Sequence, residues 1–266
     1  SISDAWRRQT PTREKVCLNG LWQFRPVLKS DVEDKVPATG DNWGWFRVPS
    51  VWPARWTDVG TQNAILSPYL ETELSQDDDL STQAWFLRRF TVPTDWQNRD
   101  IAIDFTLVNT YAKVFVDDAH VGEVWFPGGE VNLSKWLNPG QEHSLALLVK
   151  AMPLDNERLD FMAPDRVIES KATLKFKGIT GDVFLHARPA AQRLEHVAIV
   201  SSVRHDSISF QADLSQGGDR DLILNADIFN ADNQLLKSFR SQPLRPSDAN
   251  TIAFTAPWRD APRWDI

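Results

Sequence analysis

Cysteine is almost absent from this 266-residue chain. Cys17 stands alone, so no internal disulfide and no cysteine-based zinc site can form. A single thiol leaves the compartment open between periplasmic, extracellular and cytoplasmic, and Cys17 reads as a small buried hydrophobe. No apolar run approaches the roughly 18 residues of a membrane span, and residues 1–13 hold no apolar signal core. Basic residues are in deficit, 29 against 36 acids, for a net charge of −7. That charge repels phosphate backbones and no basic stripe interrupts it, which makes nucleic acid a poor partner. There is no Gly-rich phosphate loop, no G-x-S-x-G elbow and no H-E-x-x-H helix. The five histidines, His120, His143, His186, His196 and His205, are scattered singly and are expected on the surface or in strand packing.

What is present is an ordinary globular composition, 42% hydrophobic and 24% charged, which excludes disordered and collagenous classes. Tryptophan is the exception. Ten of the twelve lie between Trp6 and Trp136, none between 137 and 257, and Trp258 and Trp264 close the chain. Period-two alternation runs throughout: Ile101, Ile103, Phe105 and Leu107; Ala112, Val114 and Val116; Ile208, Phe210, Ala212 and Leu214; Leu222, Leu224, Ala226 and Ile228. Such segments are half-buried strands. No stretch of twelve or more residues carries an apolar stripe at helical spacing between caps, so the chain is expected to be all-β, with stacked sheets burying one face each.

A boundary is predicted near Arg188-Pro189-Ala190-Ala191, giving one domain over 1–189 and a second over 190–266. The second, with about five strands, is short for a seven-stranded sandwich of about 100 residues. Three segments of the first read as irregular, Lys29–Gly44, Arg55–Thr82 and Met152–Lys171, and long loops of that kind are where ligand or partner contacts are sought.

Several motifs occur in order. Leu18-Asn19-Gly20-Leu21-Trp22-Gln23-Phe24 is followed by Val48-Pro49-Ser50-Val51-Trp52, then by Ala84-Trp85-Phe86-Leu87-Arg88-Arg89-Phe90-Thr91-Val92-Pro93. Phe105–Gly122 reads as a hairpin, with Asp117-Asp118 at its turn. Phe126-Pro127-Gly128-Gly129 and Val131–Leu137 precede a strand at Leu145, and Gly178-Ile179-Thr180-Gly181-Asp182-Val183-Phe184-Leu185 closes the region. Together these resemble the N-terminal region of glycoside hydrolase family 2 enzymes, such as β-galactosidases, β-glucuronidases and β-mannosidases. In that family Asn-Gly is usual where Asp117-Asp118 stands. The resemblance implies a jelly-roll, galactose-binding-like sandwich over 1–189, then a truncated immunoglobulin-like sandwich whose last strand would lie beyond Ile266. It also implies a partner, a C-terminal (β/α)8 barrel carrying two catalytic glutamates.

The barrel takes about 250 residues by itself, and its two carboxyls must stand about 5 to 5.5 Å apart for a retaining mechanism. The chain has room for neither, so it is expected to be inactive alone, with no catalytic residue. Asn156-Glu157 copies the family's acid/base dipeptide but falls in a polar loop, Leu154–Asp160. No cofactor is expected, although Asp77 and Asp79 are weak candidates for calcium. Carbohydrate remains a possible ligand, because an aromatic face against a sugar ring combined with polar groups on its hydroxyls is how such ligands are held. The candidates are Trp43, Trp45, Trp52, Trp56 and Trp125. Glu169 is added as the nearest substitute for an acid that some family members send into the barrel. Trp22, Trp85 and Trp136 are expected in the core. A free-standing carbohydrate-binding module and a structural protein-interaction protein are the alternative readings.

Overall fold

The computed structural model describes residues 7–10, 12–27, 31–32, 34–51, 64–65, 83–151, 154–162, 167–174, 177–216 and 218–262. The chain divides into two compact units, Ser1–Arg188 and Pro189–Ile266. In chain order, the first unit opens with β1 (Arg7–Gln9), β2 (Glu14–Cys17), β3 (Gly20–Pro26), β4 (Gly44–Val48), β5 (Ala64–Ile65) and β6 (Gln83–Thr91). After one 3-10 turn come β7 (Arg99–Phe105), β8 (Val108–Asn109), β9 (Tyr111–Val116), β10 (Ala119–Trp125), β11 (Gly129–Asn132) and β12 (Glu142–Lys150). β13 (Leu154–Met162), β14 (Val167–Leu174), β15 (Gly178–Ile179) and β16 (Val183–Pro189) follow. The second unit holds β17 (Leu194–Ser202), β18 (Ser207–Leu214), β19 (Asn225–Phe229), β20 (Leu235–Arg240) and β21 (Thr251–Pro257). No α-helix occurs among the described residues, and the fold is all-β.

Two sheets build the first sandwich. One is five-stranded, in the order β1-β2-β16-β7-β11; the other is seven-stranded, in the order β10-β9-β12-β6-β3-β4-β5. Alternation sends Val16, Ile101, Ile103, Phe105, Val183 and Leu185 inward from the first, against Trp22, Phe24, Phe46, Phe86, Val114 and Leu147 from the second. Phe24, Phe46 and Phe86, one on each of three neighbouring strands, form a ring cluster with centroids 4.9 to 5.7 Å apart. Burying each such side chain is worth about 1.5–3 kcal/mol. Two closing motifs meet at the end of this core. Trp22 Nε1 donates to Leu18 O at 2.9 Å, and Leu18 N donates to Val183 O at 2.8 Å. Gly181 lies so close to the preceding loop that a Cβ there would sit 2.4 Å from Leu107 N, which is why this position must be glycine.

The β9–β10 hairpin keeps its turn despite lacking Asn-Gly. Asp117 and Asp118 both adopt positive φ, 47° and 66°, the pair of conformations a type I′ turn requires. Aspartate enters that region more readily than most residues, and here hydrogen bonds to Asp117 from neighbouring groups hold it.

Three sequence expectations are corrected. The segment 152–171 is not one loop. β13 and β14 form an antiparallel hairpin with Phe161 opposite Ile168 and Leu159 opposite Ser170, so Asn156-Glu157 lies in a strand. The β-branched start at Val167-Ile168 favours this pairing, but its alternation is too mixed to read. The expected strand Leu222–Ile228 is split: Leu222 makes an isolated bridge to Leu244 and the strand proper begins at Asn225. Trp136 is 43% exposed rather than core. In its turn Leu137 N bonds Leu133 O at 3.1 Å, so Leu133 and Leu137 share the inward side and Trp136 is left outside.

The second unit pairs β17-β18-β21 in one sheet and β19-β20 in another. Ile208, Phe210 and Phe239 form its centre. Phe210 stacks on Phe254 at 5.1 Å, and Trp258 meets Phe239 edge-on at 5.6 Å.

Candidate functional site

The seven-stranded sheet has a second apolar layer on its outer face. Cross-strand register places residues there in straight rows. One row runs Arg25, Trp85, Leu148, Lys113 and Glu123; the next runs Trp45, Gln23, Leu87, Ala146, Phe115 and His120. Trp85, Leu87, Phe115, Ala146 and Leu148 are buried here together with Trp43, against Val27 and Val36.

The cover over the first row is the described part of the stretch between β3 and β4, residues 31–32 and 34–43. Two ion pairs tie it down, Arg25 with Asp31 and Lys113 with Asp34. The hydrogen bond from Lys113 is the main reason the Asp34 carboxyl sits below the usual carboxylate range. Trp43 completes the cover, with its Nε1 donating to Ala38 O at 3.0 Å.

Beyond the cover the second row emerges at its β4 end. An open cleft of about 790 Å³ runs between the cover and the sheet, lined by Lys35, Asn42, Arg89, Asp118 and Ser144 among others. A smaller one of about 340 Å³ adjoins it, lined by Leu21, Gln23, Thr39, Trp45, Arg88 and Arg89. Thr39, Leu87 and Arg89 line both, so the two form one groove. Both volumes lie in the range of small-molecule sites, about 300–1,000 Å³. Trp45 is 45% exposed along this groove, beside Leu21.

A second aromatic feature lies at the end of β10. Trp125 is 57% exposed and Phe126 is also exposed. The Trp125 ring leans on Tyr111, centroids 4.4 Å apart. Burial, helped by a hydrogen bond to Glu123, raises the pKa of the Tyr111 hydroxyl well above its ordinary value, so it stays neutral and committed to Glu123.

The sequence candidates are therefore scattered. Trp45 opens onto the groove, and Trp125 lies in the separate β10 patch. Trp43, only 6% exposed, is covered and out of a ligand's reach, which corrects its candidacy. Its indole is spent on the Ala38 carbonyl. Trp52, Trp56, Asp77 and Asp79 lie outside the described residues. Glu169 falls in β14 opposite Asp160. Among the described residues no group of three or more His, Cys, Asp or Glu is placed to hold a metal ion.

Gln23, Arg89 and Asp118, the polar groups of the groove, fall inside three of the sequence motifs, but nothing in those motifs marked them as site residues. Only the alternation of β3 and β6 hinted that Gln23 and Arg89 face outward with Trp45. His143, also unflagged, is buried and wedged between Asp117 and the Asn138 backbone.

No protein-family model matches the chain. Among curated proteins it is similar to a β-galactosidase of Priestia megaterium, 22% identical over 265 residues, covering 93% of this chain and 24% of that protein. It is also similar to a β-glucuronidase of Felis catus, 28% identical over 144 residues, half of this chain and 20% of that protein. Among solved structures, a β-glucuronidase from an uncultured Clostridium superposes with a TM-score of 0.66 at 17% identity, covering 97% of this chain and 41% of that one. A Ruminococcus gnavus β-glucuronidase, solved with D-glucuronic acid, superposes at 0.65 with 14% identity, covering 98% and 42%. The chain thus spans about a quarter of the galactosidase and less than half of each glucuronidase. It resembles β-galactosidase and β-glucuronidase enzymes over a fraction of their length.

Proposed function

We propose that this chain is the non-catalytic N-terminal portion of a family 2 glycoside hydrolase, in which it supports the catalytic barrel and shapes the approach to it. One observation carries the reading. Nearly the whole chain aligns with enzymes of which it covers only a fraction, and the aligned part holds no α-helix among its described residues, whereas a (β/α)8 barrel needs eight. The reaction, with its two carboxyls on rigid strand ends, then belongs to residues outside these 266.

Trp125 and Phe126 suit the supporting role. They make an exposed aromatic patch backed by Tyr111, whose hydroxyl is committed to Glu123, and aromatic anchors of this kind are enriched at protein interfaces. The test is hydrolysis of aryl β-glucuronides, β-galactosides and β-mannosides by the purified 266-residue chain. No release above the buffer blank is expected; turnover that survives repurification would remove the reading.

A second role, carbohydrate binding by the sandwich itself, is favoured by the groove beside Trp45. An aromatic face next to fixed hydrogen-bonding groups is the chemistry that sugars require.

A further inference from the structure

We propose that the groove on the outer face of the seven-stranded sheet binds a short uncharged oligosaccharide. One sugar ring would lie on Trp45 beside Gln23, with the hydroxyls of the rings that follow it along the groove held by Arg89 and Asp118. This inference rests on the carbohydrate-binding role above and assigns to it a site and a ligand class.

The shape of the groove comes first. Its floor is strand rather than loop: Gln23 lies between Trp45 and Leu87 in register, on β3 between β4 and β6. Leu87 beneath is buried. Strand pairing fixes the backbone spacing of Trp45 and Gln23 before any ligand arrives. Such pre-organisation lowers the entropy cost of binding. The flank is the cover segment, fixed by its ion pairs to Arg25 and Lys113.

The ligand's charge follows from the lining. Arg25 and Asp31 neutralise one another. The Arg88 guanidinium is turned to the inner side of the sheet, over the Trp22 ring and donating to Asn19 O, which leaves Lys35 and Arg89 as cations against Asp118 in the lining, with Glu142 3.7 Å from Arg89 at the rim. The balance is near zero, so the groove has no net field to gather an anion or a cation. It offers donor-only groups (Arg89, Lys35), an acceptor-only group (Asp118) and an amide that does both (Gln23). A hydroxyl both donates and accepts, so a neutral polyol can pair with all of them. A carboxylated sugar would set its charge against Asp118, and an amino sugar would set its charge against Arg89 and Lys35.

The hydrophobic part is equally specific. Trp45 and Leu21 are exposed beside each other on β4 and β3, a ledge that matches the C–H face of a pyranose ring. By contrast, the β10 patch offers aromatic surface beside a hydroxyl, on Tyr111, that is already bonded to Glu123.

The experiment is calorimetric titration of the chain with neutral β-1,4-linked tetrasaccharides of glucose, mannose, xylose and galactose, and with galacturonate and glucosamine tetramers. Trp45→Ala, Asp118→Asn and Trp125→Ala are measured in parallel, with melting curves confirming that each is folded. At least one neutral chain should bind, weakened tenfold or more by Trp45→Ala, several-fold by Asp118→Asn and not at all by Trp125→Ala. Tighter binding of a charged tetramer, or binding that survives Trp45→Ala and is lost with Trp125→Ala, overturns the inference and leaves carbohydrate binding standing. Silence from all six sugars overturns both, and leaves the barrel-supporting role to its own test.

Discussion

Asn19 and Asp182, 163 residues apart in sequence, are joined side chain to side chain. Asn19 Nδ2 donates to Asp182 Oδ1 at 2.8 Å, while Asn19 Oδ1 accepts from Val183 N at 3.0 Å. The amide therefore works in both directions, and it fastens the first strand of the inner core to the last. The opening Leu-Asn-Gly motif and the closing Gly-Asp-Val motif are two halves of one clasp.

Replacing Asn19 by Ala should cost the first unit about 1–3 kcal/mol, because the Val183 N–H loses its acceptor. Asn19→Asp should cost no less, since it keeps an acceptor for Val183 but sets a carboxylate against Asp182. Urea unfolding followed on the first unit's transition measures both, and a neutral Asn19→Ala would show that the clasp adds nothing.

Asp117 adds a pH dependence to the β9–β10 turn. His143 Nε2 accepts from Asn138 N at 3.0 Å, which leaves Nδ1 to donate to Asp117 Oδ2 at 2.6 Å. Partial burial works against the Asp117 charge, but the Ser144 N–H, the His143 ring and the Ser144 hydroxyl outweigh it and lower the pKa. A carboxyl lowered by folding contributes stability above its unfolded value, about 3.9, and that stability is lost as pH falls through the folded value. Asp117→Asn keeps a residue tolerant of positive φ and removes the charge. The wild type should exceed this variant in urea midpoint from pH 7 down to about 4, and the gap should close only below that. A gap already closing near pH 6 would point to a different group.

Two tryptophans that look alike in sequence should behave differently. Trp85 is buried in the outer-face cluster, with Phe115 at 5.4 Å, so Trp85→Ala should cost about 3–5 kcal/mol. Trp136 is 43% exposed, and Trp136→Ala should cost about 1 kcal/mol, well short of the loss at Trp85. Thermal melts of the two variants decide it; equal losses would put Trp136 back in a packed environment.

In the second unit, β17 pairs with β18 so that Val197 and Ile199 share the inward face with Ala212 and Phe210. Ile199 is nonetheless 59% exposed. Sheet edges with apolar side chains are prone to intermolecular pairing, and lysine blunts them. Ile199→Lys should leave the melting temperature unchanged and reduce light scattering at high concentration. A large drop in melting temperature would mean that this face is packed after all.

The candidate groove was half legible in the sequence. Trp43 and Trp45 have the same parity and both point to the outer face of the sheet, which alternation alone reveals. Parity does not say what covers a face. The cover is fixed by Asp31 and Asp34 finding Arg25 and Lys113, and it buries Trp43 while leaving Trp45 open two residues on. Gln23, Arg89 and Asp118 come to that opening from three different strands or turns, and no spacing within the chain announces it.

The sequence by itself determined the all-β class, most of the inward alternation and the family likeness, because side-chain alternation and short motifs are local and survive without knowledge of the partner strand. Tertiary structure decided which tryptophans are core, which are cover and which are free. It also decided that 152–171 holds a hairpin. Solvent access and pairing depend on what distant segments bring against a surface, and a linear pattern carries no record of that.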